Sequence, residues 1–118
     1  MLVVDDNRDA ADTFAILLRK DGHTVLVAYD AETGFEMACS FSPDIVFHDV
    51  AMPIMNGYDA VRRLRADARF AKTLLVAVTS YNSTDDRNAA AYAGFDVYMP
   101  KPADFGRIKE LLRLPARL

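Results

Sequence analysis

The sequence has 118 residues, a formal net charge of −3 and a hydrophobic content of 52%. This length suits one compact domain with a single core, and the acidic balance excludes a general attraction to nucleic acid. No apolar run approaches the length of a membrane span, and the first residues lack the pattern of a signal peptide. The lone cysteine, Cys39, excludes an internal disulfide and fits a reducing compartment. We therefore expect a cytoplasmic domain that binds neither nucleic acid nor membrane.

Five short runs of β-preferring apolar residues predict five strands along the chain. In chain order they are residues 2–4, 24–29, 45–48, 74–78 and 95–99. Each run is continuously apolar rather than alternating, which is typical of strands whose sheet is covered on both faces.

Segments with helical periodicity separate the strands and follow the last of them. Residues that can begin or cap these helices are, in chain order, Asn7, Asp30, Gly57, Ser83 and Asp104. Stop signals follow the first, second and fourth helices at Gly22, Pro43 and Gly94. The five alternations of strand and helix predict an α/β fold with a parallel sheet.

Polar residues follow four of the five predicted strands. In a parallel sheet the carboxyl ends of the strands meet at one edge, where α/β proteins place their sites. We therefore expect three acids, two hydroxyls and one amine to converge there, although they are far apart in sequence. They are Asp5, Asp6, Asp49, Thr79, Ser80 and Lys101.

The charges of these residues limit what the site can be. Two carboxylates about 4 Å apart repel each other by roughly 4 kcal/mol at an intermediate dielectric constant. Three would not stay ionised together without a cation, and hard oxygen ligands suit Mg²⁺ better than zinc. A carboxylate beside Mg²⁺, a hydroxyl and a lysine has the parts needed to accept a phosphoryl group.

The chain resembles the response-regulator receiver domains of two-component signalling over essentially all 118 residues. The matching motifs are Asp5-Asp6, Asp49 with Met52-Pro53 and Gly57, Thr79, Tyr98, and Lys101-Pro102. Residues 3–12 and 93–96 are most similar to receivers attached to hybrid histidine kinases. The resemblance implies one receiver domain over residues 1–118, with a flavodoxin-like (βα)5 three-layer sandwich. Its expected strand order is 2-1-3-4-5, with two helices on one face and three on the other.

The resemblance also implies a role for each matching residue. Asp49 is the expected phosphoacceptor, and Lys101 the lysine that pairs with the phosphoryl group. Asp6 and Asp49 are the expected direct Mg²⁺ ligands, with Asp5 acting through water and the backbone carbonyl of Ala51 as a further ligand. The switch pair is Thr79, which moves toward the phosphoryl group, and Tyr98, which changes rotamer.

A receiver takes its phosphoryl group from a phosphohistidine, so the resemblance implies a histidine kinase or a histidine phosphotransfer domain as partner. A kinase or output domain attached to the same chain is a further possibility. The resemblance also implies that the domain catalyses its own phosphorylation and dephosphorylation.

Three positions depart from what is usual near the acceptor or bear on the lifetime of the phosphorylated state. His48 replaces a usual aliphatic residue, and because adjacent strand residues point to opposite faces we expect it to be packed or hydrogen-bonded under a helix rather than catalytic. Ala51 cannot orient a hydrolytic water, and the ring of Tyr81 could shield the phosphoryl group. These two residues predict a comparatively long-lived phosphorylated state.

Two other classes of protein use a similar fold or a similar aspartate. A haloacid-dehalogenase-like phosphatase would need a second aspartate two positions after the nucleophile, where this chain has Ala51. A flavodoxin-like nucleotide or flavin binder would need a phosphate-cradling loop after the first strand. The sequence has Asp5-Asp6-Asn7 there, which would repel phosphate in the absence of a metal.

Overall fold

The computed structural model describes residues 1–52, 56–80, 84–101 and 105–112. Within these ranges, strands and helices alternate along the chain. The strands are β1 (Leu2–Val4), β2 (Leu26–Ala28), β3 (Ile45–His48), β4 (Leu74–Thr79) and β5 (Val97–Pro100). The α-helices are α1 (Arg8–Lys20), α2 (Ala31–Phe41), α3 (Gly57–Arg65), α4 (Thr84–Ala93) and α5 (Phe105–Leu111). A short 3-10 helix, Ala68–Phe70, precedes β4. None of the described helices is long and apolar enough to cross a membrane.

The five strands form one sheet in the order β2-β1-β3-β4-β5, and every neighbouring pair is parallel. The predicted flavodoxin-like order is therefore confirmed. The register aligns Val4 of β1 with His48 of β3, so both strands end at the same level. Residues that directly follow β1 and β3 consequently lie side by side at the carboxyl edge of the sheet.

Apolar residues cover both faces of the sheet, as the continuous strands predicted. One face packs against α1 and α5 through Ala15, Leu18 and Ile108, which are almost fully buried. The other face packs against α2, α3 and α4, and its core includes Ala38 and Val61. The arrangement of two helices on one face and three on the other follows from this division of the core.

Side-chain caps begin three of the helices. Asn7 accepts a hydrogen bond from the amide of Ala10, and Asp30 accepts one from the amide of Thr33. Both caps were predicted from the sequence. The third helix begins in the same way, because Asn56 accepts from the amide of Asp59. The other two predicted helix starts, Ser83 and Asp104, lie outside the described residues.

Three strands differ from their predicted bounds, and β4 differs only by ending at Thr79 rather than at Val78. The strand β2 is shorter than the predicted run of residues 24–29, because it lies at the edge of the sheet and pairs only with β1. The strand β5 begins at Val97 rather than at Phe95. The amide of Phe95 instead donates to the carbonyl of Ala90, which closes the end of α4 after Gly94 in a left-handed conformation (φ 124°).

A partly buried ion pair joins several elements at the amino edge of the sheet, opposite the end of β3. Arg65 pairs with Asp96, and both side chains are less than one-fifth exposed. Asp96 also accepts from the amide of Leu75 at 2.9 Å. The guanidinium of Arg65 donates to three more carbonyl oxygens at 2.9–3.0 Å, those of Phe70, Thr73 and Gly94. We call these two charged residues the amino-edge pair.

Candidate functional site

Three carboxylates meet at the carboxyl edge of the sheet. Asp5 and Asp6 follow β1, and Asp49 follows β3. One oxygen atom from each lies within 4.8 Å of the others. Asp5 and Asp49 are buried, whereas Asp6 is exposed. We call these three residues the acidic cluster.

Among the described residues, Lys101 is the one cation that forms ion pairs with the acidic cluster. It follows β5, and its amide donates to the carbonyl of Thr79 at 2.8 Å. Its Nζ donates to Oδ2 of Asp5 at 2.8 Å and lies 3.5 Å from Oδ2 of Asp49. The lysine thus contacts both buried carboxylates and lies closer to Asp5, a preference that the sequence did not indicate.

The electrostatics of the cluster are unbalanced. The pKa of the Asp49 carboxyl is raised to about 6. Burial is the largest cause, and the charge of Asp5 raises this pKa by more than the charge of Lys101 lowers it. Burial by itself would lower the pKa of the Lys101 ammonium, but its hydrogen bond to Asp5 and the charge of Asp49 raise it overall. One ammonium therefore does not offset the repulsion among three carboxylates.

The cluster has the donor set of a site for a hard divalent cation. Its ligands are carboxylate oxygens, few in number, with an exposed side at Asp6. Mg²⁺ prefers such ligands and retains several waters. The amide of Ala51 lies 3.3 Å from Oδ1 of Asp49, so the loop after β3 folds back toward the Asp49 carboxylate. The acidic cluster therefore fits Mg²⁺.

The remaining predicted residues lie on the two strands beyond β3. Thr79 ends β4 and is completely buried, whereas Ser80 is exposed. Tyr98 lies in β5 beside Ala77, and the guanidinium of Arg87 in α4 lies 4.9 Å from the centre of its ring. Its hydroxyl is buried and has no hydrogen-bond partner among the described residues. Tyr81, Pro53 and Pro102, which the sequence also singled out, lie outside those residues.

The structure also identifies a close contact that the sequence analysis did not predict. A Cβ atom on Gly57 would lie 2.3 Å from the carbonyl oxygen of Asp49 and 2.6 Å from Cα of Val50. The amide of Gly57 donates to the carbonyl of Val50 at 2.9 Å. The start of α3 is therefore pressed against the backbone of Asp49, and only glycine fits there. Gly57 was itself the available signal, because the sequence marks it as a helix start and as part of the motif around Asp49.

Comparison with known proteins agrees with this geometry. The family model described as the response regulator receiver domain matches residues 1–113. The chain is 35% identical over 114 residues to an uncharacterized 14.6 kDa protein of Leptolyngbya boryana, covering 97% of this chain and 85% of that protein. It is also 35% identical over 117 residues to the response regulator MprA of Mycobacterium ulcerans, covering 96% of this chain and 50% of MprA. The chain thus spans about half the length of that regulator.

A solved structure supports the same fold. The chemotaxis protein CheY4 of Vibrio cholerae aligns with a TM-score of 0.89 at 24% identity, covering 97% of this chain and 96% of that one. This chain belongs to the response regulator receiver domain family. Receiver domains are the phosphoacceptor signalling modules of two-component systems, and they interact with histidine kinases or phosphotransfer proteins. Family membership decides against the phosphatase and the flavin binder.

Proposed function

We propose that Asp49 of this chain accepts a phosphoryl group from the phosphohistidine of a histidine kinase or a phosphotransfer domain. The observation that carries the proposal is the approach of one oxygen from each of Asp5, Asp6 and Asp49 within 4.8 Å, beside Lys101. An aspartate buried among like charges is costly for the fold, and this cost is accounted for if the carboxylates bind a cation. The proposed ligands of Mg²⁺ are these three carboxylates, with Asp5 acting through water, and the backbone carbonyl of Ala51.

The proposed transfer needs little covalent chemistry from the protein. A carboxylate oxygen of Asp49 forms a bond to phosphorus while the bond from phosphorus to the histidine nitrogen breaks, and the electron pair returns to the imidazole. When bound, Mg²⁺ supplies charge that offsets both the carboxylates and the phosphoryl oxygens. Lys101 is 3.5 Å from Oδ2 of Asp49, so its ammonium is within reach of a phosphoryl group there. The same parts support self-catalysed phosphorylation from a small donor and self-catalysed dephosphorylation.

The conformational response would pass through Thr79 and Tyr98. Phosphorylation adds about −1.5 to −2 charges and strong hydrogen-bond acceptors. The hydroxyl of Thr79, at the end of the strand next to β3, would move to donate to the phosphoryl group. Tyr98 would then change rotamer and bury its ring in the space that is vacated. Its hydroxyl is buried with no partner among the described residues, so leaving this position would cost it no hydrogen bond there.

The proposed domain extends over residues 1–118 and acts with a kinase, a phosphotransfer protein or an attached domain as its partner. A hybrid histidine kinase is one candidate for the parent chain. The lone Cys39 is consistent with a reducing, cytoplasmic location for the reaction.

Labelling with acetyl phosphate or with a phosphorylated histidine kinase tests this proposal. The wild type should take up phosphate only with Mg²⁺, and the product should be stable in acid and labile in base, as an acyl phosphate is. The Asp49→Asn variant should remain unlabelled. Asp44→Asn is the control, because it removes an exposed carboxylate that directly precedes β3, at the opposite edge of the sheet from the cluster. Labelling of Asp49→Asn at the wild-type rate would refute the proposal.

A further inference from the structure

His48 is a buried polar residue that the proposed transfer does not use. It is the last residue of β3 and is only 2% exposed. Its ring borders a small cavity, no larger than about one water molecule, between the sheet and helices α2 and α3. The preceding residue, Phe47, packs on the opposite face of the sheet against Phe14. The imidazole therefore lies beneath α2 and α3 rather than among the three carboxylates.

The ring makes one well-defined hydrogen bond. Its Nδ1 lies 2.7 Å from the backbone carbonyl oxygen of Asp49, the next residue. A carbonyl oxygen can only accept, so Nδ1 must carry the proton and donate it. A neutral imidazole carries a single ring proton, and this contact requires that proton on Nδ1. The contact thus assigns the tautomer with hydrogen on Nδ1.

This hydrogen bond holds the peptide group that follows the acceptor. The ladder of β3 ends at His48, and the amide of Asp49 donates back to the carbonyl of Val4 at 2.8 Å. The carbonyl of Asp49 is held by His48 on one side and faces the α-carbon of Gly57 on another. An aliphatic residue at position 48 would remove this donor from a buried carbonyl, which is unfavourable. The backbone on both sides of the acceptor Cα is therefore fixed.

We propose that His48 is a positioning residue for phosphoryl transfer. It holds the Asp49–Val50 peptide in place through the hydrogen bond that its Nδ1–H donates. Turning this peptide would rotate the Asp49 side chain and shift the carbonyl of Ala51, two residues further along. The inference rests on the proposed role of Asp49 as phosphoacceptor. It assigns His48 no contact with the phosphoryl group.

Nuclear magnetic resonance tests the hydrogen bond directly in the wild-type protein. Long-range ¹⁵N–¹H correlations of the imidazole distinguish the two neutral tautomers. The result expected for His48 is a protonated Nδ1 and an unprotonated Nε2. The opposite tautomer could not donate from Nδ1 to a carbonyl, and it would overturn the inference without any kinetic measurement.

Kinetics with acetyl phosphate then test the consequence. In His48→Leu we expect the maximal phosphorylation rate at saturating Mg²⁺ to fall about fivefold, a factor typical of one ordinary hydrogen bond. The concentration of acetyl phosphate that gives half the maximal rate should not change, because His48 does not contact the donor. His48→Asn places an amide donor close to the position of Nδ1 and should restore most of the rate. His23→Leu is the matched control, because His23 lies at the amino edge of the sheet and is partly exposed.

The outcomes separate this inference from the proposed function. Equal maximal rates in His48→Leu and wild type would overturn the positioning role, and so would a His48→Asn rate as low as that of His48→Leu. A purely structural role would lower the unfolding midpoint in urea without lowering the maximal rate. If His48→Leu does not fold, His48→Gln serves as the variant without the hydrogen bond. The amide of the glutamine is displaced from the position of Nδ1, so the maximal rate should stay low. Failure of the wild type to label, or labelling of Asp49→Asn, would instead reject the proposed phosphoacceptor.

Discussion

The two edges of the sheet each carry a partly buried cluster of charges, and the two clusters differ in balance. At the amino edge, one guanidinium faces one carboxylate, and Arg65 also donates to three backbone carbonyls. At the carboxyl edge, three carboxylates share one ammonium, and burial together with the charge of Asp5 raises the pKa of Asp49 to about 6. The balanced cluster therefore stabilises the fold, whereas the unbalanced cluster leaves capacity for a cation and a phosphoryl group.

The largest expected effect comes from breaking the balanced pair. Arg65→Met should lower the free energy of unfolding by about 3 kcal/mol, because it leaves Asp96 and several carbonyls without their charged donor. Arg62→Met is the control, because its pair with Asp59 is more than half exposed and should contribute less than about 1 kcal/mol. Urea denaturation measures both. Equal losses would show that the amino-edge pair stabilises no more than a surface ion pair.

Neutralising Asp49 should instead raise the free energy of unfolding. The folded chain raises the pKa of Asp49 from 3.8 to about 6, so it binds this proton more tightly than the unfolded chain does. Stability is therefore expected to fall as pH rises from about 4 to 6 and to stay lower above that range. In the absence of Mg²⁺, Asp49→Asn should raise the unfolding free energy by about 2 kcal/mol at pH 7.5. The gain should vanish below pH 4, and a pH-independent gain would contradict this account.

Binding of Mg²⁺ should offset part of the excess negative charge at the carboxyl edge and so stabilise the fold. At ten times its dissociation constant, the ion should stabilise the wild type by about 1.4 kcal/mol, the value for one site that is absent from the unfolded chain. Asp6→Asn should weaken this response, because it removes one carboxylate of the acidic cluster. Asp9→Asn changes an exposed acid in the first turn of α1 and should leave the response intact. Thermal unfolding with and without Mg²⁺ distinguishes the two variants.

The smallest expected effect concerns the lifetime of the phosphorylated state. Ala51 is exposed beside Asp49, the proposed acceptor, and offers no polar side chain to hold a water. Ala51→Asn should speed dephosphorylation about threefold by orienting that water. Ala71→Asn, at an exposed alanine near the amino edge, is the control. If Ala51→Asn loses phosphate no faster than the wild type, this explanation is wrong. Tyr81, which was also predicted to prolong the phosphorylated state, lies outside the described residues.

The sequence predicted the bounds of β1 and β3 and the convergence of the acidic residues, because both depend on local patterns and on the parallel topology. It could not predict the amino-edge pair, because Arg65 and Asp96 are 31 positions apart and the stretch of residues 93–96 did not indicate which residue Asp96 would pair with. It also placed Lys101 beside the phosphoryl group without its closer contact to Asp5, since side-chain reach depends on the assembled sheet. His48 was expected to be packed or hydrogen-bonded, and this was confirmed, but its acceptor could not be read from the sequence.

The contact between Lys101 and Asp5 joins residues 96 positions apart, and it has a consequence for protein synthesis. Chains emerge from the ribosome with the amino terminus first, so Asp5, Asp6 and Asp49 are all made before β5. A nascent chain that ends before Lys101 would hold the three carboxylates without their ammonium. The last strand of the sheet therefore completes the site, and competence to receive a signal is acquired only when nearly the whole domain has been translated.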